Sequence, residues 1–359
     1  MKKILYIEGI YPINTRSERI IKSLQKSYYV KVVAWDRNSI RKTRENFFIY
    51  SSLEGYGNKL KKLLGMYNFY KYLKKVFKNE KPDVIFCSQW DMLILGFLLK
   101  TKEILIYDNI DMPSSSNIFL YFILRKLEKF LLKKCDIMIY ASRFFEKNYL
   151  FFKNKSILLE NLPSRETIKL ENIKTINKSK IKLAFIGTIR YYDILKRSID
   201  IISKLNYIDY YFYGDGPDEN KLKEYVKKKK YKNIYFYGRY EYNKISEIYS
   251  NIHMVWAAYP NKDYNVKYAI SNKFFESLVY EKPTFFSKET NLGNLVLKEK
   301  IGFTIDPYNI EPFFLEMNRG KLEEKLEKIG NKIKEYKKEK KLFWEDYEKD
   351  FLCFLERIL

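Results

Sequence analysis

The chain has 359 residues, 46% of them apolar and 31% charged, which is enough for two folded domains and excludes a disordered chain. Its 68 Lys and Arg against 44 Asp and Glu give a net charge of +24, but only 13 of the basic residues are Arg. Sequence-specific nucleic-acid readers depend on the bidentate Arg fork, so no nucleic-acid partner is expected. The charge points to diffusely anionic partners, such as phosphorylated substrates or a phospholipid surface.

Apolar runs at 3–8, 28–35, 83–88, 104–108, 136–141 and 157–161 predict strands in the first half. Helical stretches fall at 17–26, 66–78, 92–99 and 116–134. Glu8 interrupts the first apolar run, so no secretion signal is expected, and no later run is long enough to span a membrane. The second half repeats the scheme, with strands at 183–186, 210–213, 234–237, 254–258, 284–287 and 303–305. Strands alternating with helices predict an α/β chain with two doubly wound, Rossmann-like parallel sheets facing a cleft. Residues 166–180, rich in Lys, Asn and Thr, read as a linker between an N-terminal domain at 1–165 and a C-terminal domain at 181–340. Residues 320–341 predict a solvated, charged helix. In 341–359, Phe343, Tyr347, Phe351, Phe354, Leu355 and Ile358 recur at helical spacing and predict a terminal helix that docks by its apolar side.

The segment richest in chemistry is Ser271-Asn272-Lys273-Phe274-Phe275-Glu276, at the start of a predicted helix. A helix N-terminus offers free N–H groups and positive potential to an anion, and Lys273 adds a full charge. Glu276, one turn on, has the two acceptor oxygens that a ribose diol needs. The plain alternative is that Asn272 caps the helix and Lys273 and Glu276 form a surface pair. A second candidate is Phe185-Ile186-Gly187-Thr188-Ile189-Arg190 at a strand end. Gly187 would let a phosphate approach the backbone, with Arg190 and Lys196 within reach of its oxygens. Tyr213-Gly214-Asp215-Gly216-Pro217 and Gly238-Arg239 end the next two strands in the same way, where open α/β sheets bind ligands. Cys87, Cys135 and Cys353 are far apart, as suits reduced thiols in a cytoplasm. The single histidine, His253, removes most mechanisms built on that residue and is expected to be structural.

In this order, Phe-Ile-Gly-Thr-Ile-Arg, Tyr-Gly-Asp-Gly-Pro, Asn-Ile-Tyr-Phe-Tyr-Gly-Arg and Ser-Asn-Lys-Phe-Phe-Glu-Ser-Leu-Val-Tyr-Glu-Lys-Pro resemble the C-terminal domain of bacterial GT-B glycosyltransferases of the family 4 type. The resemblance is specific over 183–305 and looser before it. It implies that Glu276 holds the donor ribose, as the second Glu of a Glu-x7-Glu signature, and that Lys273, Arg190 and Lys196 hold the donor diphosphate. Asn272, Gly187 and Gly214 line the same site. The family needs no metal or other cofactor beyond a nucleotide-sugar donor, here expected to be UDP-linked, and this sequence has no Asp-x-Asp. The C-terminal segment of such enzymes crosses back onto the N-terminal domain. The chain departs from the family pattern at three places: Tyr268 stands at the first Glu, the N-terminal loop reads Gly9-Ile10-Tyr11-Pro12-Ile13-Asn14-Thr15-Arg16, and the N-domain histidine is missing. That leaves a carboxylate as acceptor-side base, Asp111 first and Asp91 second, unless the departing phosphate takes the proton. The alternative is that Asp111 caps a helix from Ser114.

Two helices combine an aromatic face with lysines: Met66, Phe69, Tyr70, Leu73 and Phe77 opposite Lys71, Lys74, Lys75 and Lys78, and 118–124 followed by Arg125, Lys126, Lys129 and Lys133. Each fits either peripheral binding to anionic lipid or simple packing on the first sheet. The expected protein is a cytoplasmic, metal-independent glycosyltransferase, peripheral at the inner face of the plasma membrane. Its acceptor is a lipid-linked or cell-surface glycan. A nucleotide-sugar epimerase of the same architecture and a non-catalytic binding subunit are the rival readings.

Overall fold

The computed structural model describes residues 1–37, 39–40, 43–52, 59–115, 117–168 and 180–359. Strands β1 (Lys3–Glu8), β2 (Tyr29–Asp36), β3 (Phe47–Ser51), β4 (Val84–Ser88), β5 (Ile104–Asn109), β6 (Ile137–Tyr140) and β7 (Lys155–Leu158) form one sheet in the order β3-β2-β1-β4-β5-β6-β7. All its neighbours are parallel. Ile4, Leu5, Tyr6 and Ile7 of β1 are all fully buried, because a central parallel strand is covered on both faces. That is why this strand reads as an unbroken apolar run. Helices α1 (Thr15–Leu24), α2 (Lys59–Glu80), α3 (Trp90–Leu99) and α4 (Ile118–Leu131) connect the strands.

Strands β8 (Ile181–Ile186), β9 (Ile208–Tyr213), β10 (Ile234–Gly238), β11 (Met254–Ala257), β12 (Thr284–Ser287) and β13 (Phe303–Ile305) form a second sheet in the order β10-β9-β8-β11-β12-β13. It too is parallel throughout. Its connections are α5 (Tyr192–Ile202), α6 (Glu219–Lys229), α7 (Ile245–Ser250), α8 (Tyr264–Tyr268), α9 (Asn272–Val279) and α10 (Asn291–Glu299). Helices α11 (Glu311–Leu315), α12 (Arg319–Lys338) and α13 (Glu345–Glu356) follow. In both sheets the strand order reverses beside the first strand, between β1 and β4 and between β8 and β11. Such switch points are where doubly wound sheets open a crevice for ligands.

The chain packs as two units, Met1–Glu160 with Tyr347–Leu359, and Asn161–Asp346. Residues 161–165 and 341–346 therefore go with the second unit, not with the first domain and the terminal helix as the sequence suggests. Hydrogen bonds explain the shift. The Trp344 N–H donates to the Pro163 carbonyl at 2.9 Å, the Arg165 N–H to Glu345 Oε2 at 3.0 Å, and the Arg165 guanidinium pairs with Asp346. Most of the expected linker, 169–179, lies outside the described residues. In the first unit, Phe351 and Leu355 of α13 are buried, and Glu348 accepts from Ser23 Oγ of α1 at 2.7 Å and from Lys26.

The aromatic face of α2 covers the first sheet. Phe69 and Leu73 are fully buried, and Phe69 stacks on Trp35 of β2 with ring centroids 5.4 Å apart. Of the two readings open for this helix, packing is the one that holds.

Candidate active site

The site in the second unit begins with glycine turns. β8, β9 and β10 each finish in a glycine with positive φ: Gly187 at 130°, Gly214 at 133° and Gly238 at 71°. The Gly187 N–H donates to the Tyr213 carbonyl at 2.8 Å and the Gly214 N–H to the Gly238 carbonyl at 2.7 Å. A Cβ on Gly214 would lie 1.9 Å from the Gly187 oxygen, so only glycine fits. Gly216 is held equally tightly, 2.3 Å from the Ile189 oxygen by the same measure, and the Ile189 N–H donates to the Asp215 carbonyl at 2.8 Å. The turns after β8 and β9 thus form one laced platform at the switch point.

Helix α9 points its first turn at this platform. Ser271 caps it, its Oγ accepting from the Lys273 N–H at 3.3 Å, so Asn272 is not the cap. Asn272 instead accepts a hydrogen bond from the Asn161 amide. Lys273 is 8% exposed, and a Cβ on Gly187 would lie 3.8 Å from its Nζ. Glu276 is 1% exposed and lies 3.3 Å from the same ammonium through Oε2. Tyr249 donates to Oε2 and Tyr242 to Oε1, both at 3.0 Å. Burial works to discharge Lys273, but the Glu276 carboxylate, with the Tyr240 and Tyr259 phenols, outweighs it and holds the pKa above the ordinary lysine value. The pair is built into the fold and is not a surface pair. It presents a permanent cation at a helix N-terminus beside a backbone that lacks side chains, which suits a phosphate.

Arg190 is exposed on the same turn as Gly187, its guanidinium 4.9 Å from the Tyr191 ring centroid, and is open to a ligand. Lys196 is engaged elsewhere: its ammonium lies 3.2 Å from Asp200 one turn along α5 and 4.6 Å from the Tyr225 ring. The structure does not bring Lys196 to the platform. Tyr268 sits at the end of α8, its ring 5.0 Å from that of Tyr264. The tyrosine shell of Tyr240, Tyr242 and Tyr249 escaped the sequence reading. Its one signal was the run Tyr240-Glu241-Tyr242 directly after Gly238-Arg239.

In the first unit, Asp111 is exposed in the turn after β5, and α4 is capped by Asn117, not begun from Ser114. Asp91 lies 3.8 Å from the Arg37 guanidinium. The sequence reading passed over Glu8, at the end of β1 beside the first switch point. It is fully buried, accepting from the Gly9 N–H at 2.9 Å and from Ser17 Oγ at 2.5 Å. Burial outweighs these bonds and raises its pKa to about 7. His253 is structural, as expected: its Nδ1 accepts from the Lys182 N–H at 2.8 Å, joining the starts of β8 and β11.

Residues 166–340 match the family described as glycosyl transferases group 1. The fold as a whole is similar to sucrose-phosphate synthase from Thermosynechococcus elongatus, with TM-score 0.76 and 12% identity over 100% of this chain and 99% of that one. It is similar to Anabaena HepE solved with UDP-glucose, with TM-score 0.70 and 11% identity over 99% and 100%. It also resembles WaaG, a glycosyltransferase involved in lipopolysaccharide biosynthesis, with TM-score 0.69 and 11% identity over 96% and 98%. No curated protein matches by sequence. The chain has the GT-B fold, and its stretch 166–340 carries the match to glycosyl transferases group 1.

Proposed function

We propose that the chain transfers a sugar from a UDP-sugar to a hydroxyl of a lipid-linked or cell-surface glycan. The observation that carries the donor side is the buried Lys273–Glu276 pair beside Gly187 at the mouth of the second sheet. HepE, of like fold, was solved with UDP and with UDP-glucose, which favours uridine as the nucleotide. WaaG and a lipopolysaccharide outer core galactosyltransferase are among the chains of like fold, which favours a glycan acceptor.

In this reading the acceptor hydroxyl displaces the diphosphate from the sugar carbon, and negative charge grows on the leaving diphosphate. Lys273 and Arg190 meet that charge, with the N–H groups at the start of α9. Glu276 Oε1, which takes one hydrogen bond from Tyr242, has a lone pair left to accept a second from the ribose. Asp111 takes the acceptor proton, or else the leaving diphosphate does; Asp111→Asn tests which, because only the first route loses turnover. No metal is required in this scheme, so chelation by EDTA should leave turnover intact. Among the described residues, no group of three or more His, Cys, Asp and Glu side chains is placed to hold a metal ion.

The deciding experiment is a thermal-shift series with UDP, GDP and UDP-glucose. A ligand at about a hundred times its Kd adds roughly 2.7 kcal/mol to the stability of the fold that binds it. A rise in Tm with UDP and UDP-glucose, lost in Glu276→Gln, is the expected result. No shift with any nucleoside diphosphate would overturn the donor assignment.

A further inference from the structure

Helix α4 turns its apolar residues outward. Its inner side is Glu128 and Leu131, with Tyr121, Leu124 and Arg125 half-buried. Glu128 is the one carboxylate between 117 and 134, and it is consumed inside, where it pairs with Arg125 and accepts from the Tyr107 and Tyr149 hydroxyls at 3.2 and 2.7 Å. The outer side therefore carries no acid. Its first two turns expose Phe119 by 78%, Ile123 by 61%, Ile118 by 58% and Phe122 by 55%. Lys126, Lys129 and Lys133 follow on the same side, also exposed, around Phe130. Phe130 meets Phe97 of α3 at 5.2 Å, and Leu98 beside it is 56% exposed, so the surface continues onto α3.

Single exposed apolar side chains are ordinary, but a contiguous face of this kind marks an interaction surface. The gradient along the helix, apolar turns first and lysines after, matches the profile of a lipid headgroup layer over acyl chains. A second copy of the chain would bring the same lysines and another net charge of +24. We propose that the outer side of α4, extended by Leu98, docks on an anionic bilayer, with the Phe119–Ile123 turns in the apolar boundary and Lys126, Lys129 and Lys133 among the phosphates. The inference separates two helices that look alike in sequence. The stripe of α2 is spent on Trp35 and the first sheet, leaving Lys71, Lys74 and Lys75 solvated.

The test is sedimentation of the full chain with vesicles of phosphatidylcholine alone or mixed with phosphatidylglycerol. Binding is expected only to the mixed vesicles at low salt, and salt should weaken it. The double variant Phe119→Glu, Ile123→Glu and the triple variant Lys126→Gln, Lys129→Gln, Lys133→Gln should each bind at least about tenfold more weakly. Both alter exposed positions, so their melting curves should match the wild type. The triple variant Lys71→Gln, Lys74→Gln, Lys75→Gln should bind nearly as well as the wild type. Wild type that stays in the supernatant would overturn the proposal, as would equal losses in the α2 and α4 lysine variants. So would a dimer in light scattering that Phe119→Glu disperses without any vesicle binding, which would assign the face to a second copy. Vesicle binding is read without substrate, so its outcome is independent of the donor and acceptor assignments.

Discussion

Replacing Glu276 by Ala would leave the Lys273 ammonium buried without its carboxylate, and the fold itself would suffer. Glu276→Gln keeps the shape and one acceptor oxygen, but it too takes the charge from beside Lys273, so its UDP affinity is compared with its own melting curve. We expect it to weaken UDP binding by roughly 1–3 kcal/mol in calorimetry, the cost of leaving a hydrogen-bond partner unmatched. Lys273→Met should lower kcat more than it raises KM, because the diphosphate gains charge as the sugar departs. The glycine turns allow an internal comparison. Gly214→Ala would put a methyl 1.9 Å from the Gly187 oxygen and should cost at least ~3 kcal/mol in denaturant unfolding. Gly238→Ala meets nothing within 4 Å and pays only for its φ of 71°, about 1 kcal/mol. Glu8 makes a prediction in pH. Its pKa is raised by burial from 4.5 to about 7 in the folded chain, so the native state holds a proton that the unfolded chain has released. The stability of the first unit should therefore fall as pH rises from about 4.5 to about 7, by up to ~3 kcal/mol. Glu8→Gln should flatten that slope in melts taken across the window.

Helix α1 carries a buried fork at Arg16. Arg16 donates from Nε to Asp108 Oδ2 at 2.9 Å and from Nη1 to the Leu159 carbonyl at 2.7 Å, tying the helix to β5 and to the chain just beyond β7. Arg16→Met should cost roughly 3–5 kcal/mol, since Asp108 would be left charged and unpaired, and adding Asp108→Leu should recover part of it. The sequence announced β5 but not this clamp. Asp108 and Arg16 are 92 positions apart, and no local pattern reports such a pairing. The strands themselves were legible because Ile4–Ile7 and Leu183–Ile186 lie in parallel sheets covered on both sides. Lys273 and Glu276 were legible because their spacing and helix start carry the chemistry locally. The Tyr242 and Tyr249 hydroxyls on Glu276 were not, since they arrive from other elements. Nor was the division between α2 and α4, because amphipathic spacing records that a helix has an apolar side and says nothing of what lies against it.

The second unit is an insertion in the first, which resumes at Tyr347 after leaving off at Glu160. UDP should therefore stabilise one cooperative transition and leave another where it was, if each unit melts by itself. Differential scanning calorimetry with and without UDP checks this, and a uniform shift of the whole endotherm would count against it. Removing 347–359 takes Phe351 and Leu355 from the first unit and should lower its transition, while the Tm gain from UDP in the second unit persists.

On the ribosome this interleaving sets an order of events. The first sheet is fully synthesised once β7 ends at Leu158, but the helix that covers α1 begins at Glu345, nearly two hundred residues later. At roughly 5–20 residues per second, α1 waits on the order of 10–40 s with Ser23 and Lys26 facing solvent where Glu348 will sit. Throughout that interval, and afterwards, the outward side of α4 is already displayed. If that side docks on lipid as proposed, a nascent chain meets the bilayer before its first unit is closed.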